Sequence, residues 1–167
     1  KLRGNGNDAG TIHALCSNGD LYGWGNNERG NVGDGTTTNR TTPTIVATGV
    51  KDIFLNGQSS HVNNHLYQTF IMKSDGLYGC GFNDSGYLGL GHTTSPITSF
   101  TKVLLPLDND EIVDTMGCYT TDTGKYILVA ITSKRRMFAW GYNGGNGITS
   151  SSTIDCLVPI QFTIQED

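Results

Sequence analysis

The 167-residue chain carries 36% hydrophobic and only 16% charged residues, which excludes a strongly charged disordered protein. Its formal charge of −4 and its one basic cluster, at 134–136, give no field that would collect phosphates, so we predict no nucleic-acid partner. No apolar run reaches the roughly twenty residues that span a bilayer, and we predict no membrane insertion.

The 23 glycines, together with runs of threonine and serine, predict many short strands joined by turns, and therefore an all-β fold. The first predicted hairpin joins 11–16 to 21–24 through Asn18 and Gly19, a pair that tolerates the positive φ angles of tight turns. A glycine-rich loop containing Asn27 follows this hairpin.

The same pattern returns twice. A second hairpin is predicted at 69–80 with an Asp-Gly turn, and a third at 126–140, whose turn has no glycine and should be wider. Trp24, Cys80 and Trp140 hold the same place in the three copies, at intervals of 56 and 60 residues. Such intervals are too long for a helical repeat and suit a multi-stranded sheet unit. With their glycine-rich loops, the three signatures are 11–33, 69–91 and 126–148.

Each signature is followed by a polar segment and a further strand, and two more strands are predicted to close the first and second units. The strands after the signatures are 43–46, 100–103 and 159–162, and the closing strands are 50–55 and 112–116. Four short strands per unit are typical of a propeller blade, although a sandwich with an internal duplication would show similar strands.

The stretch Gly81 to Gly91, GFNDSGYLGLG, combines Gly-x-Asn with Gly-x-Leu-Gly-x-Gly. With the surrounding apolar strand, Asp-Gly turn and proline-led strands, it makes residues 10–162 similar to the repeats of the regulator of chromosome condensation family. That family's hairpin ends in Val-Tyr-x-Trp-Gly-x-Asn. The copies depart from the family in three ways: Cys80 replaces a tryptophan, the third glycine segment is shortened, and the family's histidine is absent. The histidine positions hold Thr11, Gln68 and Ile127.

The resemblance implies β-propeller blades of four antiparallel strands. Because the family fold is a closed seven-bladed propeller, residues 1–167 are expected to form a single partial propeller domain with two blades and portions of others. The chain is expected to begin at a late strand and to end at an early one. An open arc leaves two lateral faces where apolar residues meet water, so we expect self-association or further repeats to complete it.

For several groups of residues, a structural role is favoured over a chemical one. Trp24 and Trp140 could stack on sugars, but their repeated position favours packing between blades. The cysteines lack zinc spacing, and Cys16 and Cys80 lie among apolar residues, where buried thiols are expected. The acidic run 108–111 is expected to be a solvated loop and not a calcium site. We therefore predict no catalytic, cofactor or metal site, and an enzyme is the least favoured class.

The irregular segments are the predicted contact surface, because variable loops on a rigid frame tend to carry binding. His61 and His65 would share one face of a helix, where two imidazoles bind metal, but the serine and asparagine around them favour a solvated loop. The candidate contact residues are His61, Asn63, His65, Asp108, Asp110, Lys134, Arg135 and Arg136.

These features predict a non-catalytic recognition or assembly module whose partner is a protein or a surface glycan. The polar, lightly charged composition favours an extracellular or virion-surface location, and within it a bacterial or phage fibre domain that contacts the host or neighbouring subunits. The family also includes nucleotide exchangers for small nuclear GTPases. The alternative is therefore an intracellular regulatory adaptor or exchange factor, although the loops needed for exchange cannot be matched residue by residue.

Overall fold

The computed structural model describes residues 2–4, 10–56, 67–120, 125–150 and 153–162. These residues form twelve β-strands and no helix, and so contain no helix that could cross a membrane. The strands are β1 (Leu2–Gly4), β2 (Ile12–Leu15), β3 (Leu21–Gly25), β4 (Arg40–Ala47), β5 (Asp52–Asn56), β6 (Gln68–Lys73), β7 (Gly76–Gly81), β8 (Ile97–Lys102), β9 (Val113–Thr120), β10 (Tyr126–Thr132), β11 (Met137–Gly141) and β12 (Cys156–Phe162).

The strands form three four-stranded sheets, each antiparallel and each in simple sequence order. We call them blade 1 (β1 to β4), blade 2 (β5 to β8) and blade 3 (β9 to β12). The predictions of an all-β fold and of four-stranded units are confirmed. The expected two blades with portions of others is wrong, as are the late-strand start and early-strand end, because β1 pairs with β2 as a first strand and β12 pairs with β11 as a fourth.

The predicted closing strands are also assigned to the wrong units. The stretches 50–55 and 112–116 contain β5 and the start of β9, which open blades 2 and 3 by pairing with β6 and β10. The change of blade occurs between two consecutive amides. Val50 N–H donates to Gly19 in blade 1 at 3.0 Å, and Lys51 N–H donates to Met72 in blade 2 at 2.8 Å. The sequence repeat is therefore offset from the blade by one strand.

The hairpin turns differ in how they reach a left-handed backbone. The first and third loops, 16–20 and 132–136, are each closed by an amide-to-carbonyl bond of 2.9 Å, whereas in the second hairpin Lys73 pairs directly with Gly76. The third loop is wider than the second, as predicted, but equals the first. Arg135, at φ 59°, supplies the left-handed conformation for which the first loop uses a glycine.

The largest core cluster lies between blades 2 and 3. Trp140 is fully buried there, edge-on to Phe70 with ring centroids 6.2 Å apart, and its indole N–H donates to the Tyr87 carbonyl at 2.9 Å. This confirms that Trp140 packs between blades, and a sugar-stacking role for it is excluded by its burial. Trp24 is only half-buried.

All four cysteines lie within the described ranges and are free. Cys80 is buried, as predicted. Cys16 was expected to be buried but is exposed, because β2 ends one residue before it and the side chain falls in the first hairpin loop.

Candidate functional site

A buried asparagine fixes the glycine-rich loop of every blade. The three side chains are fully buried, and each side-chain oxygen accepts a hydrogen bond from the backbone N–H five residues later. The pairs are Asn27 with Val32 at 2.9 Å, Asn83 with Leu88 at 2.8 Å and Asn143 with Ile148 at 2.9 Å. Each of these hydrogen bonds therefore holds its loop in one conformation.

The opposite ends of the strands carry the predicted charged residues. Here 106–112, which leads into β9, meets the third hairpin loop, and we call residues 108–111 and 134–136 together the charged turn. Its base is Glu111, whose side chain is fully buried. The Glu111 carboxylate accepts hydrogen bonds from the Arg136 guanidinium and the Thr132 hydroxyl, and from the Asp108 backbone N–H at 2.9 Å. One carboxylate thus ties the two segments together.

The hydrogen-bonded guanidinium of Arg136 lowers the pKa of Glu111 to about 2, and Glu111 in turn raises the pKa of Arg136. Arg136 also donates to the Pro106 carbonyl at 2.7 Å, and its guanidinium lies 5.2 Å from the Phe138 ring centroid. The pair therefore stays ionised in mildly acidic solution and holds the turn rigid.

The outer part of the charged turn faces solvent. The Lys134 amine lies 3.5 Å from the Asp108 carboxylate and 3.2 Å from the Asn109 carbonyl, and the Lys134–Asp108 pair is about half-exposed. Asp110 and Arg135 are exposed at φ 60° and 59°, and neither forms an ion pair with another described residue. Among the described residues, the turn therefore presents one exposed charge of each sign without an ion-pair partner, on a fixed backbone.

The structure thus brings together Asp108, Lys134 and Arg136, which the sequence indicates only as two separate segments. Arg136 is mainly structural, with a side chain 21% exposed. The link through Glu111 and Thr132 was missed. It depends on β9 lying beside β10, and no short-range pattern in the sequence shows which strand pairs with which.

The other candidate segment cannot be placed in the same way. His61, Asn63 and His65 lie outside the described residues. Within the described ranges, no three histidine, cysteine, aspartate or glutamate side chains are grouped so that they could hold a metal ion.

One buried imidazole belongs to the frame and not to a site. His13 is fully buried, and its Nε2 lies 3.2 Å from the Val32 carbonyl oxygen, to which Nε2–H donates. Burial lowers the pKa of His13 to about 4, so the ring is neutral at pH 7.

Residues 18–55 match the family model described as the regulator of chromosome condensation (RCC1) repeat. Over 162 residues the chain is 28% identical to the ultraviolet-B receptor UVR8 of Arabidopsis thaliana, a match that covers 95% of this chain and 34% of the receptor. The chain thus spans about a third of that relative's length.

Two solved structures share the fold. Human WBSCR16 superposes with a TM-score of 0.63 at 18% identity, over 92% of this chain and 37% of that one. Prp20p of Saccharomyces cerevisiae superposes with a TM-score of 0.63 at 19% identity, over 92% of this chain and 36% of that one. The sequence motifs, the three sheets and these likenesses agree: residues 18–55 match an RCC1 repeat, and the three four-stranded sheets share the fold of propeller blades in these relatives.

Proposed function

We propose that this chain is a non-catalytic module that recognises or assembles with another protein, and that the charged turn is its contact surface. The observation that carries the proposal is the buried Glu111–Arg136 pair, which fixes two loops while Asp110 and Arg135 remain exposed. Charges on a fixed backbone bind a complementary surface with little further loss of conformational freedom.

The comparisons support a protein partner for such a scaffold. The Prp20p structure was described together with that protein's binding properties to Gsp1p and histones. A propeller of the same fold therefore presents protein-binding surfaces in at least one relative. For this chain we propose a protein partner first, and a surface glycan second.

The wider setting is also a proposal. We infer that residues 1–167 act as one partial propeller domain whose arc is completed by self-association or by further repeats. The polar, lightly charged composition favours an extracellular or virion-surface location, with a bacterial or phage fibre domain as the specific form. The alternative is an intracellular adaptor or nucleotide exchange factor for a small GTPase.

A charge-removing pair of substitutions tests the contact surface. Asp110→Asn with Arg135→Asn removes the two exposed charges that have no ion-pair partner among the described residues, and asparagine tolerates the left-handed backbone at each position. Partners captured from an extract by the wild-type domain are identified by mass spectrometry, purified and measured by calorimetry. We expect the double variant to bind at least about tenfold more weakly, the effect of losing a preorganised charged contact.

The matched control is Glu28→Gln with Arg29→Gln, which removes one exposed charge of each sign from the glycine-rich end of blade 1. It should bind as the wild type does. Equal affinity of the charged-turn variant and the wild type would exclude this surface. The two settings separate in other assays: an exchange factor accelerates release of a fluorescent nucleotide from a small GTPase, whereas a surface domain binds cells or glycans without doing so.

A further inference from the structure

The fold uses a side-chain oxygen at the same place in all three blades. The backbone N–H of each buried asparagine donates to a side-chain oxygen twelve residues later, one or two residues before the fourth strand of the blade. The acceptors are Asn39 for Asn27 at 2.7 Å, Ser95 for Asn83 at 3.0 Å and Asp155 for Asn143 at 3.1 Å. Because an amide, a hydroxyl and a carboxylate all serve here, the position requires an oxygen acceptor and no nitrogen.

In blade 1 this residue also carries an amide nitrogen that the contact does not use. The Asn39 side-chain oxygen accepts from Asn27, whereas its Nδ2 has no hydrogen-bond partner among the described residues. The residue is exposed. The structure therefore holds the carbonyl of this side chain in place and leaves its nitrogen available to react.

The two residues after Asn39 complete a modification motif. Asn39, Arg40 and Thr41 form Asn-x-Thr with a middle residue other than proline, which is the acceptor sequence for N-linked glycosylation. Thr41 is exposed, and the Arg40 guanidinium is paired with the Asp34 carboxylate. Both defining residues of the motif are thus accessible where the chain enters β4.

The second such motif, at 83–85, is blocked by the fold. Asn83 is fully buried, and its side-chain oxygen accepts from the Leu88 N–H at 2.8 Å. Its Nδ2 donates to the His92 carbonyl at 2.9 Å and to the Thr94 carbonyl at 3.2 Å. A sugar on this nitrogen would break the bonds that fix the glycine-rich loop and would have to enter the interior. The native fold therefore admits only the first motif.

From this contrast we propose that Asn39 is an acceptor for an N-linked glycan and that Asn83 is not. In the transfer, Nδ2 bonds to the anomeric carbon of the first sugar of a lipid-diphosphate-linked oligosaccharide. The bond from that carbon to the diphosphate oxygen breaks, its electron pair leaves with the lipid diphosphate, and the amide loses one proton. The product keeps Oδ1, so the contact with Asn27 survives. The chain is the acceptor, and the transferase of the host is the catalyst.

The loop that carries Asn39 stays at the surface when blades lie on both sides. Blade 2 has a blade on each side, yet its residues 91–94, which correspond to 35–38, remain exposed, and Ser95 is half-buried. A further blade packed on blade 1 would therefore leave this loop open. The charged turn lies at the opposite ends of the strands and stays free. The inference rests on the extracellular setting proposed above and not on the charged turn.

Secretion of the whole chain from eukaryotic cells, directed by an added signal sequence, tests the acceptor. Peptide N-glycosidase removes an N-linked glycan and converts its asparagine to aspartate, and mass spectrometry of peptides then locates the conversion. Protein from the cells and from the medium is measured, so retention in the cell does not hide the result. We expect conversion at Asn39 and, in the secreted protein, none at Asn83.

Two neighbouring threonines provide the variant and its matched control. Thr41→Val destroys the motif without touching the Asn39 side chain and should lose the glycan entirely. Thr42→Val changes the next exposed threonine of β4, which lies outside the motif, and should keep it. Both variants retain a β-branched residue in the strand, so a difference between them reports the motif and not the fold.

Substitutions of Asn39 test the separate uses of its oxygen and nitrogen. Asn39→Asp keeps an acceptor oxygen, as Asp155 does in blade 3, and should carry no glycan while unfolding at the same urea concentration as the deglycosylated wild type. Asn39→Leu loses the acceptor as well, and its unfolding equilibrium constant should rise by about three- to tenfold.

An unmodified Asn39 in both the cells and the medium would overturn the proposal, and so would a glycan on Asn83 in the secreted protein. Persistence of the glycan in Thr41→Val, or its loss in Thr42→Val, would also overturn it. The proposed contact surface is tested separately, because Thr41→Val leaves the charged turn intact and should bind the partner as the wild type does. Failure of the charged-turn variant to lose binding concerns that surface alone.

Discussion

At the scale of single residues, His13 shows that the same position of the repeat can hold different buried side chains in different blades. It stands in β2 where Phe70 stands in β6, since each pairs with the glycine in the middle of its neighbouring strand. Phe70 fills its place with a ring, whereas His13 fills it with a neutral imidazole whose Nε2–H reaches the Val32 carbonyl. Protonation would place an uncompensated charge in this interior.

Stability should therefore depend on pH through His13. The unfolded chain protonates this imidazole near pH 6.5 and the folded chain near pH 4, so the unfolded state binds more protons between these values. The free energy of unfolding should fall by about 3 kcal/mol as the pH decreases from 6.5 to 4. Urea titrations across this range measure the fall. His13→Phe introduces the residue type that blade 2 has at this position, and it should remove most of this dependence of stability on pH. An unchanged pH dependence in that variant would contradict the assignment of the effect to His13.

At the scale of elements, the charged turn links two connections that the strand order brings side by side. Glu111 precedes β9, and Thr132 and Arg136 frame the loop between β10 and β11. The buried carboxylate has partners on both segments, whereas Lys134 and Asp108 meet in solvent. Only the first of these interactions should contribute much to the stability of the fold.

Glu111→Gln should lower the free energy of unfolding by about 2 kcal/mol, because the neutral amide weakens the Arg136 contact and cannot accept from all its present donors. Lys134→Gln, which loses a half-exposed pair, should cost less than about 1 kcal/mol. Urea denaturation of both variants at pH 7 compares them directly. Equal losses would mean that the two ion pairs contribute alike and that Glu111 does not anchor the turn.

The hairpins were predictable from sequence because their determinants are local: alternating apolar residues and a turn able to adopt positive φ. Arg135 shows the limit of this approach, since a non-glycine residue supplies the left-handed conformation through its surroundings. The assignment of β5 and β9 failed for another reason. Which neighbouring strand each one pairs with is a long-range choice between two blades, and the spacing of the repeat is compatible with either.

At the scale of the whole molecule, burial is uneven across the three blades. Trp24 and Trp140 occupy the same repeat position, yet Trp24 is half-buried and Trp140 is fully buried, because blade 2 covers Trp140 and no described blade covers Trp24. The sequence can identify this position as a packing site, but it does not show in which repeat a neighbouring blade covers it. Blade 2, covered on both faces, should be the most stable unit of the arc.

Hydrogen exchange should show this difference in stability between blade 2 and the two end blades. We expect amides of β6 and β7 to exchange about tenfold or more slowly than those of β2 and β3 or of β10 and β11, because local opening of an end blade exposes one interface and opening of blade 2 exposes two. Exchange measured by mass spectrometry on dilute protein, where copies are separate, provides the comparison. Uniform protection across the three blades would instead indicate a single cooperative unit.

Because the chain passes from blade 1 to blade 2 at Val50 and Lys51, the position of a cut decides whether a fragment keeps its sheets intact. A fragment cut at the limits of the matched repeat, 18–55, would separate β3 from β2 and carry β5 away from β6. A cut within 48–51 or 103–112 would instead fall between complete sheets and break no strand pair. Because one sequence repeat contributes strands to two sheets, it joins them covalently, and the repeating unit of the sequence differs from the sheet that forms in the structure.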